Sequence, residues 1–260
     1  FEHFLSKYSC EDEVLSSLDV LARETIGCTG ADIETICNEA GILAIRGQRE
    51  KINFADLEDA YDNHLIQGCK RLDDFDKTEK HRIAVHESGH VLMAHLSGIP
   101  IARVIVAKST SDNATYTRLS NEDDSDHTNL TREDLEKRLR INYAGRAAEE
   151  LVLGTCCSGA YADLDEATSL IKRGVSGYGL FEEYGVLCSA KTLGDGFDIA
   201  RDREVYEMAK KLSKKYYEQT VDTLLANLDK LEMIYKEVEK TGVLSGARLS
   251  FMLGDNSDNA

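Results

Sequence analysis

Pro100 is the only proline in 260 residues, and that near-absence of a helix breaker constrains the fold more than any other feature of the chain. Proline interrupts helices because it lacks an amide hydrogen and its ring clashes with the preceding turn. Long stretches here can therefore stay helical, and their Leu, Ala, Glu and Lys recur at three-and-four spacing. The predicted fold is mainly α, with few strands. Between Thr29 and Ala44 the apolar set Ile33, Ile36, Cys37, Ala40, Leu43 and Ala44 marks an amphipathic helix with Thr29 as its N-cap, and a second runs from about Phe54 to Ile66. Phe1, Phe4, Leu5 and Tyr8 follow helical spacing from the first residue and no initiator Met is present, so the chain is expected to begin inside an element of a longer protein.

The charged segment from Lys70 to Lys80 separates these small helices from the remainder of the chain, and a domain boundary is expected near 75. That divides the chain into residues 1–75 and 76–260. In the second part, Ile101 to Ala107 is short, β-branched and entered through Gly98 and Pro100, which makes it the best strand candidate. Asn121 to Asp126 is acidic and aperiodic; it reads as a mobile loop, since a calcium loop requires the glycine and terminal glutamate of an EF-hand. Helices are predicted over Thr131–Leu153, from Tyr161, through Asp198–Lys240 and over Ser245–Leu253. For the long tail, core packing and subunit contact both remain open.

A formal charge of −16 opposes sequence-independent binding to nucleic acid or anionic lipid, because both require a basic surface. No nucleic-acid partner is expected. No run approaches eighteen consecutive apolar residues, so no segment of the sequence reads as a membrane span. The seven cysteines form no C-x-x-C pair, and the odd count fits free thiols in a reducing compartment. Cys156 and Cys157 read as small residues near a turn. Gly154 to Gly159 has the glycine spacing of a P-loop, but Ala160-Tyr161 follows where Lys-Ser/Thr is required, so no ATP hydrolysis is expected from these residues.

The chemistry concentrates at His86-Glu87-Ser88-Gly89-His90. At about 100° per residue, His90 lies about 40° from His86 and Glu87 about 100°, while Val85, Leu92 and Leu96 cluster at about 240–280°. Two imidazoles on one stripe can grip the same metal ion, with a glutamate standing beside it. Satisfying the same three polar groups within a buried helix by hydrogen bonds alone would be hard. A catalytic zinc takes three protein ligands and keeps one open position. His95 is a poor third ligand: it points about 180° away, and Met93 and Leu96 stand where the metzincin pattern needs glycine and histidine. A carboxylate is therefore expected. Asp163 sits at the edge of the apolar face formed by Leu164, Ala167, Leu170, Ile171 and Val175, whereas Asp165 points away. Metal ligation and simple stabilisation of the helix start both explain that aspartate from its position alone. Glu149 and Glu150 are the other acidic candidates, to hold a ligating histidine through its second nitrogen or to pair with Arg146.

Four ordered stretches together resemble the C-terminal part of the FtsH-type AAA metalloproteases. Leu21 to Ala40, with Gly30-Ala31-Asp32 and Asn38-Glu39-Ala40, resembles the helical lid of the AAA module. His86 to His90 and Gly145 to Leu151 are similar to the peptidase motifs, and Asp163-Leu164-Asp165-Glu166-Ala167-Thr168 matches the family's Asp-Leu/Ile-x-x-Ala-Thr. Two departures stand out: Cys28 replaces the usual lid aromatic, and Lys108 to Tyr116 lacks the family's Pro-Arg-Gly turn. The resemblance implies a small helical AAA lid followed by a helical zinc-peptidase domain with a short β element. It implies Zn2+ held by His86, His90 and Asp163, with Glu87 as the catalytic base. An extended substrate would pair with the edge at about Val104 to Ala107. It further implies a homo-hexamer acting on unfolded or membrane protein substrates, with the AAA core and a membrane anchor preceding Phe1. This part would then be soluble, in the cytoplasm or an organellar matrix. The competing expectations are a catalytically inactive peptidase-fold scaffold that serves hexamer assembly, and a small-peptide zinc aminopeptidase.

Overall fold

The computed structural model describes residues 1–25, 27–65, 69–71, 75–101, 103–109, 130–182 and 203–254, and the architecture is mainly α as expected. Three short helices, α1 (Glu2–Leu5), α2 (Asp12–Ser16) and α3 (Leu18–Glu24), precede α4 (Gly30–Arg46) and α5 (Phe54–Leu65). Thr29 caps α4 through a reciprocal capping box with Asp32, which satisfies amides that the first turn leaves unpaired. Leu5, Val14, Leu21, Ile36, Ala40, Leu57 and Tyr61 meet in a core belonging to these five helices.

Next come β1 (Cys69–Arg71), the histidine-bearing α6 (Lys77–Leu96), β2 (Arg103–Ile105), β3 (Ala107–Ser109) and α7 (Arg132–Leu153). A 3-10 turn at Ser158–Ala160 leads into α8 (Tyr161–Lys172), which runs on as a π-helical segment over Arg173–Gly177. The remaining elements are α9 (Arg203–Leu225), α10 (Leu228–Thr241), β4 (Val243–Ser245) and α11 (Gly246–Leu253). Asp76 caps α6 by accepting from the amides of Thr78 and Glu79, and Thr131 caps α7 through a second capping box, with Asp134.

The strand predicted over Ile101–Ala107 divides in two. β2 pairs antiparallel with β4, Val104 opposite Leu244, and β3 pairs antiparallel with β1, Lys108 opposite Lys70. Val106 lies between them and donates its amide to the Gly242 carbonyl at 2.9 Å. One edge of each half is thereby occupied. β1 itself was not expected, because Lys70 and Arg71 fall in the charged segment read as a connection. The predicted acidic loop Asn121–Asp126, most of the Lys108–Tyr116 turn and positions 72–74 beside the expected boundary lie outside the described residues, as does Cys188. The five cysteines whose side chains are described, Cys10, Cys28, Cys37, Cys156 and Cys157, are free thiols.

Two further cores hold this part together. One gathers Val85, Val91, Leu92, Met93, Val104, Ala144, Ala148, Leu231, Ile234, Val238 and Leu244, with α6 at its centre. The other joins Leu135, Leu139 and Tyr143 of α7 to Leu170 and Ile171 of α8, Phe181, and Leu212 and Tyr216 of α9. Core packing thus accounts for the buried residues of the tail. Two details differ from the helical-wheel reading of α6. Leu96, placed on the core side, is 37% exposed because it is the last residue of the helix. The polar side is covered as well: every residue from Ala84 to Ala94 is buried, since α7 packs across the histidines.

Arg103 ties the small helices to β2. Its guanidinium donates to Asp62 at 2.5 Å and Glu58 at 2.8 Å, both on α5, and lies 5.8 Å from the centre of the Tyr61 ring. No helix among the described residues is long and apolar enough to cross a membrane.

Candidate metal centre

Glycine places α7 against the histidine face. A Cβ built on Gly89 would collide with the Ala144 carbonyl and stand 2.8 Å from the Ala148 Cβ; one built on Gly145 would stand 2.5 Å from Nε2 of both His86 and His90. Glycine costs about 1 kcal/mol against alanine inside a helix, so one such residue on each of the two helices at their interface marks a contact that needs the backbones close.

In this contact the His86 and His90 rings meet edge to face, centroids 4.8 Å apart, with their Nε2 atoms separated by 3.1 Å. Asp163, in the first turn of α8, directs Oδ2 to 3.1 Å from His86 Nε2 and 3.7 Å from His90 Nε2. Asp165 is exposed, as the helical phase requires. Among the described residues these three form the group of His, Cys, Asp and Glu side chains able to converge on one ion, with donor atoms all within 4.8 Å of one another. Glu87 is buried beside His86, and His95 is outside the group.

The outer ring nitrogens decide what the inner ones offer. His86 Nδ1 faces Glu149 Oε1 at 2.8 Å and His90 Nδ1 faces the Ile141 carbonyl at 2.8 Å. A neutral imidazole has one donor and one acceptor nitrogen. With both Nδ1 atoms donating outward, both Nε2 atoms present lone pairs, and a carboxylate oxygen joins them. Three electron-rich atoms at such separations need a positive centre, which a cation supplies and a proton can supply in part. The electrostatics agree. Burial alone would lower the His86 pKa, but hydrogen bonds to Asp163 and Glu149 and the nearby charge of Glu87 outweigh it and push the pKa up to about 10. Burial would likewise raise Asp163, yet its bonds to the two histidines hold it well below the usual carboxylate range. The donor set fits a divalent cation that favours nitrogen and oxygen ligands.

Glu149, 1% exposed, takes the first of the two roles open to it from the sequence, and its guanidinium partner is Arg82 at 2.8 Å rather than Arg146. It also accepts the Cys157 amide at 3.0 Å, and Cys157 caps the 3-10 turn that leads to α8. Glu150 instead accepts from the Tyr217 hydroxyl. Sequence reasoning did not reach Arg82, the Ile141 carbonyl or the glycine contact; glycine inside two strongly helical stretches was the available signal for the last.

Comparison with known proteins identifies the family. Residues 74–250 match the model of peptidase family M41, and residues 16–59 match that of an AAA+ lid domain. The chain is 32% identical over 245 residues to the ATP-dependent zinc metalloprotease FtsH 2 of Sphaerobacter thermophilus, covering 91% of the chain and 36% of that protein. To the ATP-dependent zinc metalloprotease FtsH of Thermotoga maritima it is 32% identical over 227 residues, covering 78% of the chain and 37% of that protein. The similarity to FtsH 3 of Petrotoga mobilis reaches 29% over 272 residues, 99% of the chain and 41% of that protein. The chain therefore spans about two fifths of the length of these relatives.

Proposed function

The chain belongs to peptidase family M41, and on that premise we propose that it is the zinc-dependent endopeptidase portion of an ATP-dependent protease. The observation that carries this reading is the convergence of His86 Nε2, His90 Nε2 and Asp163 Oδ2 on one point, with Glu87 buried one residue after His86. These three residues hold the ion. Zinc, when bound, supplies the Lewis acidity that activates water and polarises a carbonyl at neutral pH. Glu87 takes a proton from the attacking water on its carboxylate and delivers it to the departing amine nitrogen as the peptide C–N bond breaks. Glu149 keeps the proton of His86 on Nδ1, so that Nε2 stays available, and the Ile141 carbonyl does the same for His90.

The two units of the reading are an AAA lid over residues 1–75 and the peptidase over 76–260. On the resemblance to the FtsH-type proteases, we extend the proposal to a whole protein that carries an AAA ATPase core and a membrane anchor, assembles as a homo-hexamer and degrades unfolded or misassembled proteins. The test is metal analysis of the purified chain with a casein digest, with and without chelator. About one zinc per chain is expected, with cleavage lost on chelation and recovered on adding zinc. Zinc-loaded protein that leaves casein intact would favour the inactive scaffold instead, and digestion by thoroughly metal-free protein would remove the metal from the reaction.

A further inference from the structure

Only the segment from Gly154 to Ala160 separates α7 from α8, and it determines where Asp163 lands, because that residue lies in the first turn of α8. Arg82, one turn ahead of His86 on the same face of α6, reaches across to this segment. Its Nη1 donates to Glu149 Oε2 at 2.8 Å and to the Thr155 carbonyl at 3.2 Å, while Nη2 donates to Thr155 Oγ1 at 3.4 Å. Glu149 Oε2 also accepts the Cys157 amide, and Oε1 faces His86 Nδ1. One guanidinium thus touches both the carboxylate that orients the first histidine and the backbone that leads to the aspartate.

We infer that Arg82 is a positioning residue for the zinc site: it fixes the His86 ring and the start of α8 relative to each other, and so sets how tightly His86 and Asp163 close on the same ion. This rests on the zinc-peptidase reading above. The geometry requires the planar fork of arginine. A guanidinium spreads donors over two partners in fixed directions, whereas a lysine ammonium is a single point charge on a flexible stem. The Glu149 carboxylate is almost fully buried, so its direction depends on the few donors that reach it.

The experiment measures zinc affinity by competition with a chromophoric chelator for the parent chain, Arg82→Met and Arg82→Lys, together with the visible spectrum of each protein after cobalt replaces zinc. Thermal unfolding in excess chelator reports whether the metal-free folds are equivalent. Arg82→Met is expected to weaken zinc binding about 10- to 100-fold, in the range seen when partners of metal ligands are removed. Arg82→Lys should recover only part of it, and both should alter the cobalt spectrum. Parent-like affinity and spectra in both variants would overturn the inference while leaving the peptidase reading intact. A parent chain that binds no zinc would overturn both.

Discussion

Gly145 lies so close to His86 that a methyl group on its Cα would stand 2.5 Å from the His86 Nε2 atom, and equally close to His90. The helix that covers the histidines therefore leaves room at the nitrogens only because this position has no side chain. Gly145→Ala is expected to abolish zinc binding under conditions where the parent holds a full equivalent, with helical content retained because alanine favours the helix. Metal content and circular dichroism on the same sample check this, and a zinc-loaded Gly145→Ala protein would refute the proposed position of the ion.

Glu87→Gln separates holding the metal from using it. The amide keeps the shape of the side chain but accepts no proton, so peptide cleavage should fall by about 100- to 10,000-fold, the usual contribution of a positioned base. Zinc content should be unchanged. Near-parent digestion of casein by this variant would eliminate Glu87 as the proton carrier.

pH should act on the chelated protein through His86. Its folded pKa of about 10 lies above the value of about 6.5 for a free imidazole, so its contribution to stability is complete below about pH 6.5 and is lost as pH rises through about 10. Asp163 has the opposite sign, contributing above its unfolded value of about 3.9 and losing that contribution as acid protonates it in the folded state. The Tm of chelated protein should accordingly decline between pH 7 and 10, and decline less in Asp163→Asn, where the charge partner is gone. Superimposable pH profiles for the two proteins would show that the pair does not hold the proton.

Arg103 is 3% exposed, and its partners are Asp62 and Glu58 on another element. Burial pushes the Asp62 pKa up to about 6 despite the adjacent guanidinium, so the carboxylate is ionised at neutral pH only at some cost. Arg103→Ala leaves that carboxylate without its cation and should destabilise the chain by about 3 kcal/mol, as for other broken buried pairs. Denaturant unfolding measures it, and a change below about 0.5 kcal/mol, typical of surface positions, would contradict the role given to this contact.

Much of the helical layout is legible in the sequence because it is local. Thr29 and Thr131 announce helix starts three residues before the aspartates that complete their caps, and the apolar spacing of the tail picks out Leu231 and Val238, both buried on α10, together with Leu228, which is 39% exposed. His86 and His90 are recognisable for the same reason, being four residues apart. Asp163 was not separable from an ordinary helix-start carboxylate by position, and only the resemblance of its motif singled it out. The features that escaped are non-local. Arg82 and Glu149 are 67 positions apart, and no periodicity links them. The division of Ile101–Ala107 results from pairing with β4, near the end of the chain, and with β1, whose Cys-Lys-Arg has no strand signature. Burial of the polar face of α6 depends on glycines whose purpose appears only when two helices meet.

The most direct test of the account is anomalous diffraction at the zinc edge from crystals of the chain grown with zinc. A single strong peak is predicted at about 2.0–2.2 Å from His86 Nε2, His90 Nε2 and an Asp163 carboxylate oxygen, the distances of zinc to imidazole and carboxylate. A peak ligated by Glu149 or by Cys156 and Cys157, with Asp163 beyond bonding distance, would contradict it.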